Sequence, residues 1–348
     1  MGLVLDILDD EVRKKIAVDD KVLKEARTRR DLVAESAMEI EGSLRWFRSG
    51  SVAHAMVNKP VSDADSGLVL DRRSYPKLGP DGDNEGPDEV IDELCELVGT
   101  KVREKYPKGK VGKSRRGLDV KFNEPVTADE DPSVDLIVTL TRKDANGLWI
   151  PDRDAEAEKD RWSPSHPEEH TELFTGGAKE LRALRARVAR MAKAWNKQWD
   201  EDDRALSSFN IATLAWEYVD DSSGPLDEAL AGWFRFAHDG LDKAETEDPA
   251  GVSDPIRLLL PKSEVVKRLG AAADDMDEAR ANEDDEDKVV REALARVYPD
   301  YVDAPAKAAL AAALRTNIGV GATKTGITLG AGAAMKPMRT FGERGTDG

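Results

Sequence analysis

Cysteine is almost missing from this 348-residue chain, where Cys95 stands alone. That excludes an intramolecular disulfide and a metal cage built from thiolates. Cys95 lies in IDELCELV, a helical pattern, and reads as a small core residue rather than a nucleophile. Long apolar runs are also lacking. None approaches the roughly 18 residues that a membrane span requires, so no membrane partner is expected. The opening MGLVLDILDDEVRKK is acidic early and has no secretory pattern, which points to the cytoplasm. Positive charge is in deficit, with 52 Lys and Arg against 69 Asp and Glu and a formal net charge of −17. Broad nucleic-acid affinity, which needs Lys and Arg on phosphates, is therefore not expected. A small anionic substrate remains compatible, because a metal ion neutralises phosphates locally. No internal repeat is visible.

What the chain does have is enough apolar material, 40%, to build a core, and enough length for two domains at about 150 residues each. Its organising stretch is Gly50 to Asp71, GSVAHAMVNKPVSDADSGLVLD. A Gly-Ser pair exposes backbone N–H groups and a hydroxyl that suit a phosphate. Asp63 and Asp65 fall on one side of a strand, because side chains alternate with a period of two. Two carboxylates beside a phosphate cradle make a Mg2+ site, since Mg2+ takes oxygen ligands in phosphate company. A turn running into an edge strand with solvated acids explains the same residues.

Residues 3–47 read as helical, with Asp19 or Asp20 capping a second helix that continues to Phe47. Residues 72–88 form a turn-rich loop, and 88–106 resume a helix with Val90, Ile91, Leu94, Leu97 and Val98 in one stripe. The basic loop KYPKGKVGKSRRG is no P-loop, because Pro107 stands where its first glycine belongs and no apolar strand precedes it. Strands follow at 118–123 and 133–141. The second is a nearly continuous apolar run that contains Asp135, and a carboxylate there needs a partner or a metal. Asp135 is therefore the third candidate ligand, with Asp119 as its rival. His166 and His170 have the spacing of a zinc helix, but Pro167 replaces the glutamate, which leaves a capped helix start as the reading. From Glu172 the chain is helical, with segments at 177–199, 206–219, 226–238, 262–279 and 286–297. Residues 305–334 turn Ala-rich and then Gly-rich, as in a flexible tail.

Taken in order, these pieces resemble the bacterial cGAS/DncV-like nucleotidyltransferases, which make cyclic oligonucleotide signals in anti-phage defence. The signature is Gly50-Ser51, then Asp63-Ala64-Asp65, then Asp135. The connector is similar too, with Ile150-Pro151, Trp162, Pro167 and His170, as are MAKAWNKQW, SSFNIATLAWEY and DPAGVSDP in the helical half. The resemblance covers roughly residues 40–300. It implies an α+β fold: a polymerase-beta-like core, a mixed sheet with flanking helices, joined to a C-terminal helical domain across a cleft. The core with its long N-terminal helix would span 1–170, the oligoadenylate-synthetase-like helical domain 171–305, and a flexible tail 306–348.

The same resemblance implies a template-independent enzyme that joins nucleoside triphosphates into a cyclic di- or oligonucleotide with release of pyrophosphate. Asp63, Asp65 and Asp135 would hold two Mg2+ ions, with Mn2+ as a substitute. Gly50 and Ser51 would cradle phosphates, Lys193 and Ser208 would contact them, and Phe209 would stack on a base. A separate effector would respond to the product, and the terminal Gly348 suits conjugation to a target by a ubiquitin-transfer-like apparatus. Cysteines of a zinc insertion are absent, so no DNA activator is expected. Two further departures from the family pattern are Ser66-Gly67 after the second aspartate, and Ala212 where many relatives carry Glu. A tRNA-end or toxin-type nucleotidyltransferase with the same core is the competing assignment.

Overall fold

The computed structural model describes residues 2–284 and 287–305, and the segment 306–348 with Gly348 lies outside the described residues. The chain begins with a helical segment, α1, made of Leu3–Ile7, a π-helical stretch Leu8–Arg13, and Lys14–Ile16. Helix α2 covers Asp20–Ala37, and its cap is Asp19, whose carboxylate accepts from the Lys21 N–H at 2.7 Å.

Here the sequence expectation of a helix to Phe47 is corrected. The helix stops at Ala37, Gly42 turns the chain with φ +77°, and Ser43–Arg48 is a strand, β1. Trp46 and Phe47 favour the pleated, half-covered surface they meet there. A four-residue helix, α3 (Gly50–Ala53), leads to β2 (Asp63–Leu70). Then come α4 (Asp88–Lys105), β3 (Lys110–Lys113), β4 (Gly117–Lys121), β5 (Ser133–Thr141), β6 (Leu148–Pro151) and β7 (Trp162–Ser165). The basic loop and the connector thus contain short strands that the sequence pattern did not reveal.

The sheet is mixed, in the order β1-β2-β5-β4-β3, with β6 paired to β5 and β7 to β6. Only β2 and β5 run parallel, and α4 with the β3–β4 hairpin forms the crossover between them. Even-numbered residues Leu68, Leu70, Leu136, Val138 and Leu140 face α2 and α4, in a core with Val33, Ile91 and Leu94. The alternation turns Asp63, Asp65, Asp119 and Asp135 to the other face. Gly67 meets the ring of Phe47: a Cβ there would sit 2.0 Å from Cζ. The departure from the family pattern at that position is therefore a close approach of β1 to β2.

Arg29 of α2 is 1% exposed and lies against the Phe122 ring at 4.5 Å. It donates to Asp131 at 2.6 Å and to the carbonyls of Glu124 and Pro132 at 2.6 and 2.9 Å, which anchors the loop leading into β5.

The helical remainder comprises α5 (Pro167–Thr175), α6 (Lys179–Asn196), α7 (Ser208–Tyr218), α8 (Leu226–Lys243), α9 (Lys262–Ala281) and α10 (Asp287–Val297). It packs around Trp195, Trp233 and Phe234, and α1 joins this core through Val4, Leu8, Val12 and Ile16 rather than covering the sheet. No helix among the described residues is long and apolar enough to cross a membrane.

Candidate active site

Strand pairing brings the candidate acids together. Asp65 on β2 is the direct neighbour of Asp135 on β5, Asp63 lies two residues back on the same face, and Asp119 on β4 is the antiparallel partner of Asp135. Asp119 is pulled aside by Lys121, 3.4 Å away. The crowding is electrostatically costly. Burial first, then the charges of Asp63 and Asp135, push the Asp65 carboxyl from 3.8 to about 7. Burial, Asp63 and Asp119 raise Asp135 to about 6.

Among the described residues no three His, Cys, Asp or Glu side chains already stand close enough to grip one cation. Asp63 leans toward the Ser62 hydroxyl, which donates to it at 3.1 Å. The donor set itself consists of hard carboxylate oxygens held at neighbouring register positions, two of which, on Asp65 and Asp135, resist ionisation. That chemistry fits Mg2+ or Mn2+ and not a soft or imidazole-seeking metal.

The Gly-Ser turn closes on these acids. The Ser49 N–H donates to the Asp65 carbonyl at 3.2 Å. Gly50 has φ +69°, and a Cβ on it would fall 1.7 Å from Asp65 Oδ2, so only glycine permits this approach. Ser51 is half-buried in the same turn and its carbonyl accepts from the Met56 N–H at 2.9 Å.

Side chains of the helical part secure that turn. Lys193 is 7% exposed and its Nζ donates to the Met56 carbonyl at 3.2 Å. Burial, with Lys197 nearby, lowers its ammonium to about 8. The amide of Asn58 is held twice by Arg190: its Nδ2 donates to the Arg190 carbonyl at 2.8 Å and its Oδ1 accepts from Arg190 Nε at 3.1 Å. His54 Nε2 meets Thr171 Oγ1 at 3.1 Å, and burial keeps this imidazole neutral by lowering it to about 3. None of Asn58, Arg190 or His54 was singled out from sequence, because their partners lie more than a hundred residues away.

Of the remaining candidates, Ser208 is exposed at the start of α7 and lines a pocket of about 280 Å3 beside Lys193. Phe209 does not line that pocket. Its ring packs 4.8 Å from His170 and 6.0 Å from Phe174. His170 in turn meets Asp248 at 2.5 Å, and Asp248 also accepts the N–H groups of Val252 and Ser253 at 2.9 and 2.8 Å. The imidazole thereby fastens α5 to the loop after α8.

No family model matches the sequence, and no curated protein does either. Solved structures do match. CdnC of E. coli MS115-1, in its complex with HORMA-deltaN, superposes with a TM-score of 0.61 at 16% identity, covering 87% of this chain and 99% of that one. The Vibrio cholerae DncV cyclic AMP-GMP synthase, bound to nonhydrolyzable GTP, gives 0.59 at 14% identity over 87% of this chain and 96% of that one. This chain has the cGAS/DncV-like nucleotidyltransferase fold. CdnC with ATP gives a TM-score of 0.60 at 15% identity, so the likeness recurs with a different bound ligand. At these identities the cGAS/DncV-like architecture is what is shared, and the chemistry must be argued from this chain's own residues.

Proposed function

We propose that this chain is a nucleotidyltransferase that joins ribonucleoside triphosphates into a cyclic di- or oligonucleotide and releases pyrophosphate. The observation that carries the reading is the side-by-side register of Asp65 and Asp135, with Asp63 on the same face and the Gly50 turn packed onto Asp65. The fold's solved counterparts support it, since DncV is a cyclic AMP-GMP synthase and has been captured with the linear intermediate pppA(3′,5′)pG.

Asp63 and Asp65 would hold two divalent ions, and Asp135 one of them. Those ions would supply a lowered pKa at the attacking ribose hydroxyl and charge neutralisation at the leaving pyrophosphate. The chain itself positions: the Gly50-Ser51 turn brings backbone N–H groups and a hydroxyl to the triphosphate, and Ser208 offers a second hydroxyl from the helical side. No protein nucleophile is required. In this reading the enzyme acts in anti-phage signalling, a separate effector reads the product, and the protein works in the cytoplasm without a DNA activator.

The test is incubation with the four ribonucleoside triphosphates and Mg2+ or Mn2+, without an acceptor. A phosphatase-resistant product is expected, and Asp63→Ala with Asp65→Ala should abolish it while the thermal transition survives. Label that appears only on an added RNA or protein acceptor would refute the cyclase and favour a tRNA-end or toxin-type enzyme with this core.

A further inference from the structure

We infer that Arg13, Arg187 and Arg190 form a phosphate-binding site where the end of α1 meets α6. None of the three lines the pocket beside Lys193. The site is independent of the nucleotidyl-transfer reading, since it needs neither the acids of the sheet nor a metal. The chain is acidic overall, at −17, yet residues 179–197 carry seven cations against one carboxylate. Among the described residues no carboxylate forms an ion pair with Arg187 or Arg190. A local excess of positive charge on an acidic protein selects an anion.

Arg190 is half-buried, and its guanidinium is placed from two sides. Nε donates to Asn58 Oδ1 at 3.1 Å, and Nη2 donates to the Ile16 carbonyl at 3.1 Å. Nη1 has no acceptor among the described residues. Arg13 stands three residues before Ile16 in α1, and Arg187 stands three before Arg190 in α6. Burial, then the charges of Arg13 and Arg187, hold the Arg190 guanidinium below its ordinary value. Arg187 is exposed. Arg13 gives its Nε to Asp9 at 2.7 Å and keeps both terminal amino groups. The acids of this stretch are already engaged: Asp9 by Arg13, Asp10 by Lys14 and Glu11 by Arg291, at 2.7, 2.6 and 2.7 Å. Arg13 also closes the π-helical stretch Leu8–Arg13, a rare conformation that often marks functional positions.

The framework around Arg190 is complete without a ligand. Asn58 Nδ2 donates to the Arg190 carbonyl at 2.8 Å, and the Lys59 N–H donates to the Ile16 carbonyl at 3.0 Å. The guanidinium is therefore fixed before any anion arrives. Its two cationic neighbours repel it, and Asp9 offsets only one of the three charges. The chemistry of the missing counter-charge follows from the donors. A guanidinium is a planar fork, and a planar carboxylate has two oxygens to offer. A phosphate has oxygens in more than one plane and can accept from three forks at once. Free inorganic phosphate and the terminal phosphate of a nucleotide share that chemistry.

The test titrates the full chain with inorganic phosphate and with ATP by calorimetry, in EDTA so that metal-dependent binding at the acids is removed. Arg187→Ala should weaken phosphate about tenfold, as expected for one charge-assisted hydrogen bond. Lys197→Ala, in the pocket beside Lys193, should stay within about twofold of wild type. Melting supplies a readout that a structural role would not move. Without phosphate, Arg187→Ala should melt at or above wild type, because repulsion is relieved. In excess phosphate the order should reverse, because only wild type gains from tight binding. ATP binding more tightly than phosphate, with both weakened in Arg187→Ala, supports the site and makes the nucleotide its source. Phosphate binding at least as tightly as ATP supports the site with free phosphate as its source. The site is overturned if wild type does not bind phosphate, or if Arg187→Ala binds it like wild type. It is also overturned if Lys197→Ala loses binding while Arg187→Ala keeps it. None of these outcomes touches the transferase reading, whose test is a metal-dependent product.

Discussion

Replacing Asp65 by Asn should stabilise the metal-free protein, because the carboxylate now works against its surroundings. Its pKa rises from 3.8 to about 7 through burial and the charges of Asp63 and Asp135. Each pH unit is worth 1.36 kcal/mol, so keeping this acid ionised in the fold costs up to about 4 kcal/mol above pH 7. Asp135, raised to about 6, shares part of the same repulsion, and water reaches this face of the sheet. Roughly half the limit, about 2 kcal/mol, is the expected gain for Asp65→Asn, or about 4 °C in melting temperature.

The sign follows from linkage. Between pH 3.8 and about 7 the folded carboxyl keeps a proton that the unfolded one has lost, so the wild type loses stability as pH rises through that window. The advantage of Asn should vanish near pH 4, grow to about pH 7, and stay flat above. Divalent metal should reverse the ranking: at a hundredfold excess over its dissociation constant Mg2+ adds about 2.7 kcal/mol to a protein that binds it, and Asp65→Asn should gain little. Thermal melts in EDTA and in Mg2+ at several pH values provide the assay. A variant no more stable than wild type in EDTA at pH 7.5, or equally advantaged at pH 4, would refute the electrostatic account of the site.

Two other substitutions probe the parts that hold this site. Gly50→Ala puts a methyl 1.7 Å from Asp65 Oδ2 at φ +69°, so the turn or the carboxylate must move. Turnover measured by pyrophosphate release should fall by about a hundredfold, since displacements near 1 Å have that scale, with about 1 kcal/mol of stability lost to strain. Arg29→Met strands the Asp131 carboxylate and two carbonyls inside the loop before β5. Asp131 is partly exposed and can be solvated, so the loss in chemical denaturation should be about 2–4 kcal/mol, from the two carbonyls left without their donor.

The acids were legible in the sequence because they depend on one local rule. A period of two puts Asp63 and Asp65 on one face, and a run such as SVDLIVTLT can hardly be anything but a central strand. Sheet pairing then brings Asp135 beside Asp65 and leaves Asp119 beyond it, paired with Lys121. Strand β1 was illegible for the converse reason. Over six residues, SLRWFR satisfies helical spacing as readily as alternation, and only its pairing with β2 decides. Strands β3, β6 and β7 are four residues each, too short to show any period. Lys193 could be placed on a helix face from spacing, but its acceptor, a carbonyl 137 residues away, belongs to tertiary structure. Phe209 was read for its ring, and the ring's neighbours, His170 and Phe174, come from another helix.

The contacts fall into two sets that hold different halves of the site. The acids sit on β2 and β5, fixed by strand pairing and by Arg29 behind them. The Gly50-Ser51 turn, tied to β2 through the Ser49 N–H, is also held from the other side. Glu168 grips Arg45 of β1, Thr171 donates to the Arg48 carbonyl and meets His54, Lys193 holds Met56, and Arg190 holds Asn58. Every one of these partners lies between residues 45 and 58, and none is on β2. The turn is thus held twice, by β2 through the Ser49 N–H and the β1–β2 pairing, and by the helical side chains. Because Gly50 lies against the Asp65 carboxylate, a shift of the turn is felt directly at that acid. Under the proposed nucleotidyl transfer, the helical half would therefore bear on the phosphate cradle and on the Asp65 carboxylate through the same turn.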